Sequence, residues 1–146
     1  CEMAASLHVR RWQGRLLFLS FCAVLCQDSM SLPITDLPIE ISAEAADAAM
    51  KTPVFYNKNP PFLLDIREPE EVSYTKVPGS LSIPMDELEH RLSVLPKDRP
   101  LYVLCRSGSR SLPVAEYLQD MGFPNARSVA GGINAWADVD PTLLKY

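Results

Sequence analysis

The stretch PLYVLCRSGSRS, residues 100–111, decides the fold of this chain. Its apolar first half, which runs up to Cys105, is typical of a strand that is buried on both faces of a sheet. Small, polar and basic residues follow, and then the helical pattern of residues 112–121, with Pro113 in its first turn and Gly122 placed to end it. A buried strand, a short loop and a helix in this order indicate an α/β fold built on a parallel sheet.

The rest of the chain repeats this alternation from residue 34 onward, with glycine or proline at nearly every junction. Besides residues 100–105, the predicted strands are 38–41, 62–66, 80–83 and 126–129. The predicted helices are 43–50 (capped by Ser42), one turn at 69–72, a surface helix at 85–95, residues 112–121, and a last helix that starts at 133–136. A chain of 146 residues that is 47% hydrophobic has room for one core. We therefore predict one globular domain over residues 34–146.

Residues 1–33 form a separate N-terminal segment in this interpretation. A basic stretch at 8–15 precedes an apolar run at 16–26, as in a signal peptide, but the run is too short to span a bilayer comfortably and no clean cleavage site follows. Two explanations stay open: a true targeting segment, or translated upstream sequence with Met30 as an alternative start. We expect a cytoplasmic protein, with export as the alternative if residues 8–26 act as a signal.

Charge and cysteine content exclude several classes of function. The formal net charge of -4 argues against a nucleic-acid partner. Three of the four cysteines, Cys1, Cys22 and Cys26, lie ahead of the predicted domain, which is not a disulfide framework. Cys22 and Cys26 are poor candidates for a metal site, since they lie in an apolar run with only His8 nearby. We expect neither a metal nor an organic cofactor.

Cys105 is the candidate nucleophile. It stands at the carboxyl end of a buried strand, which is where parallel α/β sheets bind ligands. The loop that follows it should turn backbone N–H groups inward, and the next helix adds the positive end of its dipole. These groups, with the basic side chains beside them, favour a thiolate. The alternative is a structural cysteine at a strand end. The candidate binding residues of the loop are Arg106, Ser107, Gly108, Ser109, Arg110 and Ser111.

Asp65 and Arg67 end another predicted strand and should emerge at the same edge of the sheet as Cys105. They could orient the loop arginines, or they could form a surface ion pair of little value. The acidic residues that follow, Glu68, Glu70 and Glu71, are interpreted as a solvated face. Trp136, after the tight turn at residues 131–132, is interpreted as a core anchor rather than a pocket residue.

Four ordered blocks of this sequence together resemble the rhodanese homology domain. They are LDIREPEE at 64–71, VPGS at 77–80, CRSGSRS at 105–111 and AGGINAW at 130–136. The resemblance implies a three-layer fold, with a five-stranded parallel sheet and helices on both faces. It also implies that Cys105 takes sulfur from a small anionic donor such as thiosulfate, holds it as a persulfide, and passes it to a thiol or cyanide. The loop backbone would cradle the persulfide, and Arg110 and Arg106 would assist donor binding.

Two positions depart from the pattern of the family. Lys76 stands where a histidine usually precedes the Val-Pro-Gly turn, and we expect only local effects because that histidine is not the nucleophile. Residues 137–141 lack the glycine that is common there. The C-terminal edge of the domain is therefore expected to pack differently.

Two further functions remain as alternatives. The domain could be a binding or relay module whose Cys105 is loaded by a protein partner and turns over small donors negligibly. It could also be a cysteine phosphatase or an arsenate reductase, since related folds use a cysteine and an arginine around an oxyanion loop. The loop length argues against this, because four residues separate Cys105 from Arg110, whereas the related phosphatases have five.

Overall fold

The computed structural model describes residues 37–146. The predicted N-terminal segment, with Cys1, Cys22, Cys26 and Met30, lies outside the described residues, and the domain boundary after residue 33 stays a prediction. No helix in the described part of the chain combines the length and the apolar character needed to cross a membrane.

Five strands form one parallel sheet in the order β1-β5-β4-β2-β3. Their bounds are β1 Glu40–Ile41, β2 Phe62–Asp65, β3 Leu81–Ser82, β4 Leu101–Leu104 and β5 Ala126–Val129. The strand around residues 100–105 is therefore the central one, and it is buried throughout. The predicted α/β fold with a five-stranded parallel sheet is confirmed. The predicted strands at 38–41 and 80–83 are shorter in the structure.

Helices connect these strands. Their bounds are α1 Ala43–Lys51, α2 Pro69–Tyr74, a 3₁₀ helix Met85–Val94, α3 Ser111–Asp120 and α4 Gly132–Val139. Ser42 caps α1, its hydroxyl accepting from the N–H of Ala45 at 3.2 Å. Gly122 (φ 91°) ends α3, where the N–H of Phe123 reaches the carbonyl of Leu118 at 2.9 Å. Both cap predictions are confirmed.

The core lies in two layers, one on each face of the sheet. Alternate residues of β4 point to opposite faces, so Val103 and Cys105 join one layer while Tyr102 and Leu104 join the other. The first layer is covered by α3 and the 3₁₀ helix, and the second by α1 and α4. Trp136 is fully buried in the second layer, which confirms its interpretation as a core anchor.

The segment predicted as a surface helix over residues 85–95 differs in type. It packs on the sheet through Leu88, Leu92 and Leu95, as predicted, but it forms 3₁₀ turns. Bonds to the third residue back, such as the N–H of Leu95 to the carbonyl of Leu92 at 3.2 Å, close its turns. The packing of these three leucines fixes one side of the segment. It does not require the i→i+4 hydrogen bonds of an α-helix, so the turns can tighten to 3₁₀ geometry.

Candidate active site

Cys105 follows the central strand at the carboxyl edge of the sheet. In the neighbouring strand, Asp65 lies in register with Leu104, and the N–H of Ile66 donates to the carbonyl of Leu104 at 3.0 Å. The structure therefore brings the ends of β2 and β4 together, as the sequence predicted. The side chain of Cys105 is fully buried beneath the loop of residues 106–110.

The Cys105 sulfur is surrounded by hydrogen-bonding groups. The N–H of Gly108 donates to Sγ at 3.1 Å, and the Ser111 Oγ lies 3.3 Å from Sγ. Burial by itself would raise the pKa of the thiol. The Ser111 hydroxyl and the backbone N–H groups of Ser111, Arg110 and Gly108 act in the opposite direction, so that the pKa of Cys105 is lowered from its ordinary value. The loop therefore stabilises a thiolate.

Ser111 connects the sulfur to a strand that the sequence did not assign to the site. Its Oγ lies 2.8 Å from the Oγ of Ser128, which is fully buried in β5. Sequence reasoning missed Ser128. The two-residue period of the strand predicts that Ser128 faces the same side as Ala126, beneath α3. No local sequence pattern identifies the partner of its hydroxyl.

The turn at Gly131 and Gly132 supports the loop from below. The N–H of Ile133 donates to the carbonyl of Cys105 at 2.9 Å, and the N–H of Asn134 donates to that of Arg106 at 3.2 Å. Gly132 has φ 60°, and a Cβ there would lie 2.5 Å from both carbonyl oxygens. The glycine is required for α4 to begin directly against the cysteine loop.

Arg110 is held by Glu71. Its two terminal nitrogens donate to the two carboxylate oxygens at 2.9 and 2.8 Å. This pairing, assisted by the N–H of Glu68 and the Tyr146 hydroxyl and opposed by burial, lowers the pKa of Glu71 from 4.5 to about 2. The interpretation of Glu71 as part of a solvated face is therefore wrong, whereas Glu68 and Glu70 are exposed. The Glu-x-x-Glu spacing from Glu68 forms a capping box, which indicates the start of the helix but not the contact with Arg110.

Arg106 is exposed and contacts Tyr146. Its Nε donates to the main-chain oxygen of Tyr146 at 2.8 Å, and its guanidinium carbon lies 4.7 Å from the centre of the tyrosine ring. Tyr146 is 40 residues away in sequence, and no local pattern could have identified it. Both loop arginines therefore have intramolecular partners in this structure.

Asp65 and Arg67 form a fully buried ion pair, with Arg67 Nη2 2.6 Å from Asp65 Oδ2. Arg67 Nη1 also donates to the Tyr146 hydroxyl at 2.9 Å, and that hydroxyl donates to Glu71 at 3.0 Å. The pair thus reaches Arg110 through Tyr146 and Glu71. A surface ion pair, which was one of the two interpretations, is excluded by this burial.

The remaining predicted residues lie at the periphery. Ser107 and Ser109 are exposed, and their hydroxyls bond to each other at 3.2 Å. Lys76 is exposed as well. At the C-terminal edge α4 continues to Val139 without a glycine, and Asp140 then caps the following turn by accepting from Thr142. Among residues 37–146, no three His, Cys, Asp or Glu side chains form a group that could hold a metal ion.

The chain belongs to the rhodanese-like family, because the family model of the rhodanese-like domain matches residues 43–139. Among curated proteins, it is 41% identical over 75 residues to a sulfurtransferase of Allochromatium vinosum, a match that covers 51% of this chain and 70% of that protein.

Two further similarities place the domain in different contexts. Over 88 residues the chain is 34% identical to the adenylyltransferase and sulfurtransferase uba4 of Ogataea parapolymorpha, which covers 59% of this chain but only 23% of that protein. The chain therefore spans less than a quarter of that relative. A solved structure of a rhodanese-like domain protein from Staphylococcus aureus superposes with a TM-score of 0.61 at 28% identity, covering 75% of this chain and 99% of that one. These proteins place the chain among rhodanese-like sulfurtransferases.

Proposed function

We propose that Cys105 carries a sulfane sulfur as a persulfide, which it takes from thiosulfate or a similar anionic donor and passes to a thiol or to cyanide. The observation that carries this proposal is the environment of Sγ. Gly108 donates to it at 3.1 Å, Ser111 lies at 3.3 Å, and the pKa of the thiol is lowered despite burial. We propose that, once the persulfide forms, the backbone N–H groups of the loop stabilise its anionic outer sulfur, which lies one bond beyond Sγ.

The proposed reaction has two balanced steps. In the first, the Cys105 thiolate attacks the outer sulfur of thiosulfate; the new S–S bond forms as the old one breaks, and sulfite leaves with the electron pair. In the second, cyanide or a thiolate attacks the outer sulfur of the persulfide and restores the Cys105 thiolate. The first step needs no general base when the cysteine is already ionised.

Arg106 and Arg110 are the groups that we propose to attract the anionic donor. Arg106 is exposed and the Arg110 side chain is about one-third exposed, at 32%. Each is already engaged, Arg110 by Glu71 and Arg106 by Tyr146. A donor must therefore compete with these partners. It must also open the loop locally, since the Cys105 side chain is fully buried.

A relay module is the second candidate function. It is favoured by the relative from Ogataea parapolymorpha, a protein whose name combines two activities and of which this chain spans 23%. In this case the donor would be a protein persulfide. Either reaction suits the predicted cytoplasmic location, because that compartment keeps thiols reduced.

Steady-state kinetics with thiosulfate and cyanide, and then with thiosulfate and a thiol, test the proposal. Saturation at modest thiosulfate concentration, lost in Cys105→Ser, supports the enzyme. Full activity of a chain in which Cys1, Cys22 and Cys26 are replaced by serine is the matched control. Activity that persists in Cys105→Ser would contradict both candidates, and loading by a protein persulfide alone would favour the relay module.

A further inference from the structure

Ser128 is a buried hydroxyl outside the loop that still reaches the reacting cysteine through one intermediate. It lies in β5, is fully buried, and points to the face of the sheet on which Cys105 lies. Its Oγ is 2.8 Å from Ser111 Oγ, which in turn is 3.3 Å from the sulfur. A buried hydroxyl needs such a partner, because burying it without a hydrogen bond is unfavourable.

The protons of this chain of groups can be counted. Ser111 Oγ has three neighbours, the Cys105 sulfur, the carbonyl of Gly108 at 3.2 Å, and Ser128 Oγ. A serine hydroxyl has one proton to donate and two lone pairs with which to accept. The carbonyl of Gly108 and a cysteine thiolate can only accept. Within residues 37–146, Ser111 Oγ is the one hydrogen-bond partner of the Ser128 hydroxyl, so Ser128 has nowhere else to donate.

For each state of the cysteine there is a pattern that pairs every one of these groups. As a thiol, Cys105 donates to Ser111, Ser128 also donates to Ser111, and the Ser111 proton goes to the carbonyl of Gly108. As a thiolate, Cys105 accepts the Ser111 proton instead, while Ser128 still donates to Ser111. The carbonyl of Gly108 then keeps its bond from the N–H of Leu112, at 3.2 Å. No donor or acceptor is left buried and unpaired in either state.

We propose that Ser128 is a positioning residue for the sulfur-transfer site: its hydroxyl donates to Ser111 Oγ, so that the Ser111 proton is not spent on Ser128 and is available to the Cys105 thiolate. This inference rests on the proposed function, in which Cys105 is the nucleophile. If Ser128 does not donate, Ser111 Oγ keeps an unused lone pair. The hydrogen bond from Ser111 to the sulfur is then weaker, because Ser128 no longer polarises the Ser111 hydroxyl. Ser128 acts through Ser111 and does not contact the reacting sulfur.

Other groups around the sulfur act separately from Ser128. The charged side chain that interacts with the Cys105 thiolate is Arg110, and its own pKa is raised, first by Glu71 and more weakly by Cys105. In the described part of the chain neither Arg110 nor Glu71 bonds to Ser128. The remaining hydrogen bonds to the sulfur come from backbone N–H groups of Gly108, Arg110 and Ser111. Removal of the Ser128 hydroxyl therefore affects the hydrogen bond between Ser111 and the sulfur and leaves the Arg110 and backbone contacts in place.

The pH dependence of alkylation at Cys105 measures this role directly. The full-length chain is treated with iodoacetamide, and the peptide that contains Cys105 is quantified by mass spectrometry, so that the other three cysteines do not interfere. Ser128→Ala is expected to raise the pKa of the thiol by about 0.3–0.5, since one neighbour strengthens a bond by a fraction only. Ser111→Ala is expected to raise it by about one.

Matched variants separate positioning from general loss of packing. Ser80 is also buried and its hydroxyl bonds to the carbonyl of Val77, away from the site, so Ser80→Ala should leave the thiol pKa unchanged. Ser128→Thr keeps the hydroxyl and should retain the wild-type value. In a Ser111→Ala background, adding Ser128→Ala should have no further effect. This double variant keeps the test valid if the single variant folds poorly.

The outcomes distinguish this inference from the proposed function. An unchanged pKa in Ser128→Ala, an equal shift in Ser80→Ala, or an equal shift in Ser128→Thr would overturn the positioning role. Alkylation needs no sulfur donor, so this comparison can be read even if the chain accepts no sulfur. If the wild-type chain fails to load sulfur while Ser128→Ala still raises the pKa of the Cys105 thiol as expected, the proposed function is overturned and the positioning role of Ser128 is not.

Discussion

The carboxylate of Glu71 holds the guanidinium of Arg110 through two hydrogen bonds of 2.8 and 2.9 Å, across 39 residues of sequence. Glu71 belongs to the short helix after β2, and Arg110 to the cysteine loop after β4. The contact therefore ties the ends of two adjacent strands together. It also means that Arg110, the last residue of the loop, is already paired with a carboxylate, so that an anionic donor must compete with Glu71 for it.

The Glu71 contact should make stability depend on acid pH. Because the folded pKa of Glu71 is about 2, below its ordinary value of 4.5, the stabilisation is fully present above pH 4.5 and is lost as the pH falls towards 2. Glu71→Gln should lower the free energy of unfolding at pH 7 by about 1–2 kcal/mol, less than the pKa alone would give, because both side chains are partly exposed.

Urea denaturation at several pH values measures this effect. The difference in the free energy of unfolding between wild type and Glu71→Gln should become smaller as the pH falls from 4.5 to about 2. The exposed Glu70 provides the control, and Glu70→Gln should show a small difference at every pH. A Glu71→Gln difference that stays constant down to pH 2 would contradict the assignment.

Arg110→Ala should impair the use of an anionic donor. Losing a charge-assisted contact to an ion costs about 1.5–3 kcal/mol, or roughly tenfold or more in kcat/KM for thiosulfate. Arg91, which is exposed and whose ion pair within residues 37–146 is with Glu87 at 3.7 Å, is the matched control for removing one positive charge. Equal kinetics of Arg110→Ala and Arg91→Ala would remove Arg110 from donor binding.

Asp65→Asn should destabilise the fold strongly. The side chains of Asp65 and Arg67 are both fully buried, so the variant leaves an uncompensated guanidinium in the core. Breaking a buried pair in this way costs about 3–5 kcal/mol. The free energy of unfolding, measured in urea, should fall by that amount, whereas Asp98→Asn, which affects a surface pair with Arg99, should change it little. Similar stability of the two variants would show that the buried pair is dispensable.

Phosphatase and arsenate reductase activities should be absent at this site. Four residues separate Cys105 from Arg110, and Gly108 and Ser111 already close on the sulfur at 3.1 and 3.3 Å. A persulfide adds one atom, whereas phosphoryl transfer needs three bound oxygens and an in-line leaving group. Hydrolysis of an aryl phosphate and reduction of arsenate, assayed where sulfur transfer is readily detected, should stay at background. Cysteine-dependent turnover of either substrate would contradict this.

The sequence predicts the parts of this molecule that depend on local pattern. Periodicity and turn residues indicated the parallel sheet, and the position of Cys105 at the end of β4 followed from one apolar run and the loop after it. The strand order, with β5 between β1 and β4, is set by packing between distant segments and had no local signal.

The missed residues are those whose partners are distant in sequence. Glu71 pairs with a residue 39 positions away, Ser128 bonds to one 17 away, and Tyr146 reaches back 79 residues to Arg67. Residue type alone assigned Glu71 to the surface, because an acidic run after a strand is usually solvated. Only the fold brings an arginine over it.

The mass of the peptide that contains Cys105, before and after incubation of the protein with thiosulfate, tests the central claim most directly. Wild type should gain the mass of one sulfur atom on this peptide, the gain should disappear on treatment with a reductant, and Cys105→Ser should show no gain while keeping its fold. A wild-type peptide of unchanged mass under conditions in which sulfite is released, or a reductant-labile sulfur on another cysteine instead, would contradict a persulfide at Cys105.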